Sequence, residues 1–160
     1  MKRLFFIAAL LLMTIAAFAQ SGRSLYQKYS EKNDVSAVYI SPAMFRLIGK
    51  IPDLNVEGEN VNLAPIIQSL SGLYLLSSEN PSVNAELAAE AERMVKGGHY
   101  ELLMEAKDSG ETVRMYTTGT EAIVSGFVMI AVEPKETTFI CLDGKMNRDD
   151  LEKLLAEKMK

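Results

Sequence analysis

The sequence contains one cysteine, one histidine and no tryptophan. A single cysteine cannot form a disulfide within the chain, so the fold has to rest on its apolar core alone. The lone histidine, His99, excludes a histidine-based metal cluster and a Ser-His-Asp triad within one chain. Nucleotide-binding loops, nucleophile elbows and zinc-protease motifs are also absent. These absences predict a non-catalytic protein without a cofactor, although carboxylate chemistry assembled from distant residues stays open.

The first nineteen residues have the pattern of a secretory signal peptide. Met1-Lys2-Arg3 is a basic start, an apolar run follows from Leu4 to Met13, and Ala17-Phe18-Ala19 is a small-x-small cleavage site. The uncharged stretch is short for a membrane span, which needs about 20 apolar residues. We therefore expect cleavage after Ala19 and a periplasmic or secreted protein. Because the only cysteine, Cys141, lies far downstream, there is no lipobox cysteine and the product is expected to be soluble.

Removal of residues 1–19 makes the chain more acidic. It takes away Lys2 and Arg3 and no acidic residue, which leaves 15 basic side chains against 21 acidic ones and a net charge of −6. Such a chain is a poor polyanion binder, so we expect no nucleic acid as partner. The remaining residues, about 141 of them, suffice for one domain with a real core. We expect a single α+β domain over 20–160 without a membrane span.

Apolar spacing predicts helices and strands in the first half of the mature chain. In order, they are a helix, a strand, two helices, a strand and a longer helix, over 24–32, 35–40, 42–48, 63–70, 73–76 and 81–96. Met44, Leu47 and Ile48 share the apolar face of the second helix. The longest helix has the clearest apolar face, formed by Val83, Leu87, Ala91, Met94 and Val95. A left-handed cap is expected at Gly97-Gly98.

After that helix the apolar period changes to two. Tyr100, Leu102, Met104 and Ala106 alternate with His99, Glu101, Leu103 and Glu105, which predicts a half-buried strand whose polar face carries the histidine. Three more strands follow over 111–117, 122–132 and 137–142, with a bulge at Gly126. The strand over 122–132 is apolar enough to be central and covered on both faces. Asp143-Gly144 ends the last strand, and Asn147 caps a final helix.

Sequential hairpins make the second half of the chain antiparallel. Amphipathic helices can bury their apolar faces only by packing on that sheet. We therefore predict an α+β fold with a mostly antiparallel sheet of about five to six strands and helices packed on it, a two-layer sandwich.

Several candidate residues have plain structural explanations. His99 is expected at the surface, with a site or pH-sensing role as the alternative. Cys141 lies in an apolar stretch and is expected to be a buried packing thiol, the alternatives being an intermolecular disulfide or a reactive thiol. Asp149 and Asp150 suit a helix N-terminus better than a carboxylate pair. The seven methionines of the mature chain are scattered over different elements, which indicates core filling rather than a copper site.

The most polar segment, Ile51 to Asn62, is predicted to be an exposed loop. Its run from Asp53 to Gly58 imitates the first half of a calcium loop, but Ala64 stands where the bidentate glutamate belongs. We therefore expect no metal. Loops held by a scaffold commonly carry recognition, and the residues expected to do so here are Asp53, Asn55, Glu57, Glu59 and Asn60.

A family resemblance rests on three stretches of apolar pattern. These are Val35 to Leu47, Leu73 to Met94, and Thr138 to Gly144 before Asp149-Asp150-Leu151. In them the chain resembles a family of small exported Bacteroidetes proteins called domain of unknown function 4252, and the likeness spans nearly all of 24–158. The resemblance implies export, sometimes with a lipid anchor that this chain lacks, and brings no activity or site residues. Such families are sometimes encoded beside envelope-stress sigma factors, which makes a regulatory role conceivable.

These observations predict an exported, soluble, non-catalytic binding or interaction module of the cell envelope, with an unidentified envelope protein as partner. The alternatives are a small-molecule carrier or a hydrolase with an unorthodox site, either of which needs a sizeable apolar pocket with a few polar groups. An envelope-stress regulatory component also stays open. So does a structural subunit, which would form a stable homo-oligomer.

Overall fold

The computed structural model describes residues 21–49 and 64–150. Its elements follow the predicted order of helices and strands. They are α1 Gly22–Tyr29, β1 Val35–Ile40, α2 Pro42–Ile48, α3 Ala64–Ser69, β2 Leu70–Ser78, α4 Pro81–Gly97, β3 Glu101–Asp108, β4 Glu111–Gly119, β5 Ile123–Val132 and β6 Thr137–Asn147.

The six strands form one sheet in the order β1-β2-β6-β5-β4-β3. Every neighbouring pair is antiparallel, and β1 and β3 are the two edge strands. β5 and β6 lie inside the sheet, as the apolar composition of β5 predicts. The sheet confirms the predicted α+β class.

Helices α1 and α4 pack on one face of this sheet. All five apolar residues predicted for the face of α4 are buried, and α1 adds Leu25 and Tyr29. The strands contribute Tyr74, Leu76, Tyr116, Val128, Ile130, Phe139 and Cys141 to the same core cluster. Burying one large apolar side chain stabilises a fold by about 1.5–3 kcal/mol. This core therefore supplies much of the stability of the fold.

Polar side chains fix the two packed helices at their starts and to each other. Ser21 caps α1 in a reciprocal capping box with Ser24, and Asn80 caps α4 immediately before Pro81. The ammonium group of Lys28 on α1 pairs with the carboxylates of Glu86 and Glu90 on α4. These contacts set the orientation of α1 against α4.

The prediction of a half-buried strand after α4 is wrong. β3 is an edge strand and is exposed along its whole length. A bulge places Leu102 opposite Tyr116 but Met104 opposite Met115, so these two residues face opposite sides of the sheet. The predicted polar face is broken by the same bulge, because Glu105 pairs with Arg114 at 2.6 Å on the side of α4.

The predicted left-handed glycine cap of α4 is also wrong. Gly98 has a φ of −89°, and the left-handed residue is His99, with a φ of 55°. The N–H of Tyr100 donates to the carbonyl of Val95 at 3.1 Å, which closes the helix end around His99. The cap therefore forms one residue later than the glycine pair suggests.

The end of β6 and the apolar face of α2 also differ from the sequence prediction. β6 does not end at Asp143-Gly144 but continues to Asn147, because it pairs with β2 at Leu70 and with β5 at Ile123. In α2 the buried residue is Phe45, while Met44 and Leu47 of the predicted apolar face are exposed. The bulge near Gly126 in β5 is confirmed.

Tyr29 in the core and Tyr100 packed against it give the fold a measurable pH dependence. Burial raises the pKa of Tyr29 and of Tyr100 to about 12, whereas a tyrosine in an unfolded chain has a pKa of about 10. The unfolded chain therefore releases these protons first, and the stability they contribute below pH 10 is lost as the pH rises through about 12. In an absorbance titration of tyrosinate, the folded protein should show Tyr29 and Tyr100 among its late-ionising tyrosines, together with Tyr74 and Tyr116, whose pKa burial also raises. Tyr100→Phe should remove one of them, and a folded protein whose tyrosines all ionise near pH 10 would contradict this burial.

Candidate functional site

The sheet face opposite α1 and α4, which we call the outer face, also carries apolar side chains. Successive residues of a strand point to opposite faces, so the residues between core positions lie on the outer face. The strand register joins six of them into one line across all six strands. In sheet order these residues, which we call the outer row, are Val38, Leu75, Ile140, Met129, Met115 and Met104.

The outer row does not belong to the buried core cluster. Its end residues Val38 and Met104 are 46% and 44% exposed, and the four residues between them are half-buried. Neighbouring strands lie about 4.8 Å apart, so the row is about 24 Å long. A second apolar line runs beside it through Ile40, Leu73, Leu142 and Phe127. The two lines form one apolar surface on the outer face.

Three methionines occupy consecutive positions at one end of the outer row. Met104 of β3 lies opposite Met115 of β4, which lies opposite Met129 of β5. The expectation of scattered core filler is therefore wrong for these three residues, although Met94 and Met146 do fill buried positions. Methionine side chains are flexible and polarisable, and they are frequent on surfaces that adapt to partners.

One end of the sheet, which we call the acidic end, carries carboxylates beside the strands. There β1 begins, β2 ends and the β3–β4 and β5–β6 turns lie. The acidic residues at these positions are Asp34, Glu79, Asp108, Glu111, Glu133 and Glu136. Glu136 reaches the outer face, because its carboxylate accepts hydrogen bonds from the hydroxyls of Ser77 and Thr138. Negative charge therefore borders the apolar surface.

The opposite end of the sheet holds a polar pocket of about 650 Å³. Arg148 donates from Nη2 to the carbonyl of Thr120 at 3.2 Å, and its buried Nε has no partner among the described residues. Gly119, Thr120 and Glu121 form the turn on one side, and His99 closes the other. The pocket lining is His99, Glu101, Thr117, Thr118, Gly119, Thr120, Glu121 and Arg148.

The cysteine is confirmed as a buried packing residue. The thiol of Cys141 donates to the carboxylate of Asp143 at 3.5 Å, and burial raises the pKa of both groups. A nucleophilic cysteine needs the opposite shift, because the thiolate is the reactive form. The thiol therefore keeps its proton and offers no activated nucleophile.

The sequence-predicted residues fall in different places. The proposed interaction loop, with Asp53, Asn55, Glu57, Glu59 and Asn60, lies outside the described residues. Asn147 does cap the next helical turn, since its Oδ1 accepts from the N–H of Asp149 at 3.0 Å. The outer row was missed because its members come from strands whose neighbours cannot be read from one sequence.

Comparison with known proteins gives a family without an activity. A family model described as a domain of unknown function (DUF4252) matches residues 29–154, a region that includes every strand of the sheet. No curated protein and no solved structure matches the chain. Over 21–49 and 64–150, no helix has the length and apolar character to cross a membrane.

Proposed function

We propose the following function for this chain, which belongs to the domain family of unknown function DUF4252. It is an exported, non-catalytic binding module of the cell envelope that holds a protein partner on its outer row. The observation that carries the proposal is the continuous apolar line from Val38 to Met104 across all six strands. Export is supported by the signal-peptide pattern of residues 1–19.

The extent of the apolar surface favours a protein over a small molecule. Small-molecule sites are concave pockets, whereas a protein interface covers about 800 Å² of each partner. The row is about 24 Å long at the usual strand spacing, which suits the contact of a helix or a sheet. The polar pocket beside Arg148 lacks the apolar lining that a carrier needs.

The composition of β5 indicates that the outer face needs cover. Val128 and Ile130 point to α1 and α4, while Phe127 and Met129, which alternate with them, point to the outer face. A strand with apolar residues on both faces is typical of a sheet covered on both sides. A bound partner would supply the second cover.

Charge defines the kind of partner. Carboxylates at the acidic end border the apolar surface. The carboxylate of Glu136 accepts hydrogen bonds from Ser77 and Thr138, which lie on the outer face beside that surface. Complementary charge speeds association and fixes the orientation of a bound segment. The partner that fits is an amphipathic helix whose apolar face lies on the outer row and whose basic residues lie near the acidic end.

A designed peptide tests this proposal. The mature chain is titrated with a fluorescent amphipathic Leu/Lys helix, and binding is followed by anisotropy. Met115→Glu should weaken binding by about tenfold or more, because it places a charge in the apolar contact. The substitution adds negative charge, so a purely electrostatic association would instead become stronger.

Two controls accompany the titration. Gln27→Glu adds the same charge at an exposed position of α1 on the other side of the molecule, and it should leave binding unchanged. A Leu/Glu peptide should bind far more weakly than the Leu/Lys peptide. The proposal fails if Met115→Glu binds as tightly as the unchanged chain, or if Gln27→Glu has an equal effect.

A further inference from the structure

We infer that Met104, Met115 and Met129 form a binding site for a soft monovalent metal ion of the Cu(I) type. The three residues occupy directly paired positions on three adjacent strands of the outer face. Thioether sulfur is a soft ligand that selects Cu(I) over hard cations. This site does not require the protein partner proposed above.

The backbone places the three sulfurs within reach of one ion. With strands about 4.8 Å apart, the outer two Cα atoms lie about 10 Å apart, with Met115 midway between them. A methionine has three rotatable bonds, so the sulfurs of Met104 and Met129 need to lean inward by only about 3 Å each. Side-chain rotation alone then brings three thioethers around an ion above Met115.

Ordinary sheet packing does not explain why these positions are methionine. Strands favour β-branched and aromatic residues, which methionine is not. Val38, Leu75 and Ile140 fill the other half of the same row with aliphatic side chains. Met104 is also 44% exposed, so burial gains little there. A flexible unbranched chain and a sulfur lone pair separate these methionines from leucine, and only the lone pair can bind an ion.

The position at the sheet edge gives an ion access from solvent. Met104 lies on β3, which is exposed along its whole length, and beside the bulge after Leu102. Thioethers carry no proton at neutral pH, so no protonation competes with the ion. Among the described residues, no group of three or more histidine, cysteine, aspartate or glutamate side chains could hold a metal ion.

Silver ion, which has the same charge and softness and does not change oxidation state, serves as the probe. Calorimetric titration of the mature chain with Ag(I) should give one site per chain, and NMR should shift the methyl signals of Met104, Met115 and Met129. The triple variant M104L/M115L/M129L should lose affinity by about 100-fold or more, because leucine has no ligand atom. Met44→Leu, at an exposed methionine of α2, should leave the affinity unchanged.

Two further variants test whether Cys141 or His99, and not the methionines, binds the ion. Cys141→Ser and His99→Ala should each keep the Ag(I) site, and Zn(II) should not compete for it. The inference is overturned if the triple leucine variant binds Ag(I) as the unchanged chain does, or if Cys141→Ser abolishes the site. Leucine preserves the apolar row, so the triple variant should still bind the Leu/Lys peptide. An unchanged chain that binds Ag(I) but does not bind the Leu/Lys peptide would count against the proposed partner alone.

Discussion

Replacing Phe139 by alanine is expected to lower the free energy of unfolding by about 3–5 kcal/mol. Phe139 is fully buried, and in the sheet it lies between Leu76 and Ile130, which belong to the same core cluster. Truncation removes the transfer energy of the ring and leaves a cavity that rigid strands on both sides cannot close. Urea denaturation followed by circular dichroism measures the loss.

Phe127 provides the matched control for this substitution. It lies on β5 opposite Leu142 and Thr117, on the outer face, and is only half-buried. Phe127→Ala should therefore cost about 1–2 kcal/mol, since less area returns to water. An equal cost at both positions would mean that the outer face is a second core. It would then not be available to a partner.

Replacing Gly119 by alanine is expected to cost about 3 kcal/mol or more. Gly119 has a φ of 148°, and an added Cβ would lie 2.0 Å from the carbonyl oxygen of Ile123. The added methyl thus meets backbone, which cannot move aside as a side chain can. Relief requires opening the β4–β5 turn, and Thr120 in that turn accepts the hydrogen bond from Arg148. Thermal and urea unfolding report the loss.

Alanine at Gly110 serves as the control for Gly119→Ala. It distinguishes the cost of a left-handed backbone from the cost of a steric collision. Gly110 also has a positive φ, 91°, but no atom lies within 4 Å of the position of an added Cβ. Gly110→Ala should cost only about 1–2 kcal/mol, the usual penalty for a left-handed alanine. If the two alanine variants were equally stable, the close approach of Ile123 to Gly119 would be refuted.

Local patterns carried most of the fold prediction. The apolar face of α4, with Val83, Leu87 and Ala91, can be predicted from a period of 3.6 residues and a helix cap. The bulge at Gly126 and the burial of Cys141 follow from residue type and neighbouring sequence. Each of these features is set within one element, so sequence reasoning could predict them.

Features set by pairing between distant segments could not be predicted. Asp143-Gly144 has turn chemistry, yet pairing with Leu70 and Ile123 keeps β6 extended. In β3 one bulge residue reverses the faces of everything after Leu102, because a shift of one residue moves each side chain to the other face. The alternation of Leu102 and Met104 therefore led to the wrong prediction that both residues share one face of the sheet. No local feature of the sequence indicates the bulge.

The outer row depends entirely on pairing between distant segments of the chain. Val38 and Leu75 become neighbours through one strand pair, and Ile140 joins them only because β6 inserts between β2 and β5. No stretch of sequence contains two adjacent members of the row. The strand order, which sequence cannot give, creates the candidate site.

The central claim is that the outer row is the binding surface of this domain. The most direct test is an NMR titration of methyl-labelled methionines with the Leu/Lys peptide. We predict shifts at Met104, Met115 and Met129 and no change at the buried Met94. A peptide that binds without shifting these three methyl signals, or that instead perturbs the pocket around His99 and Arg148, would contradict the claim.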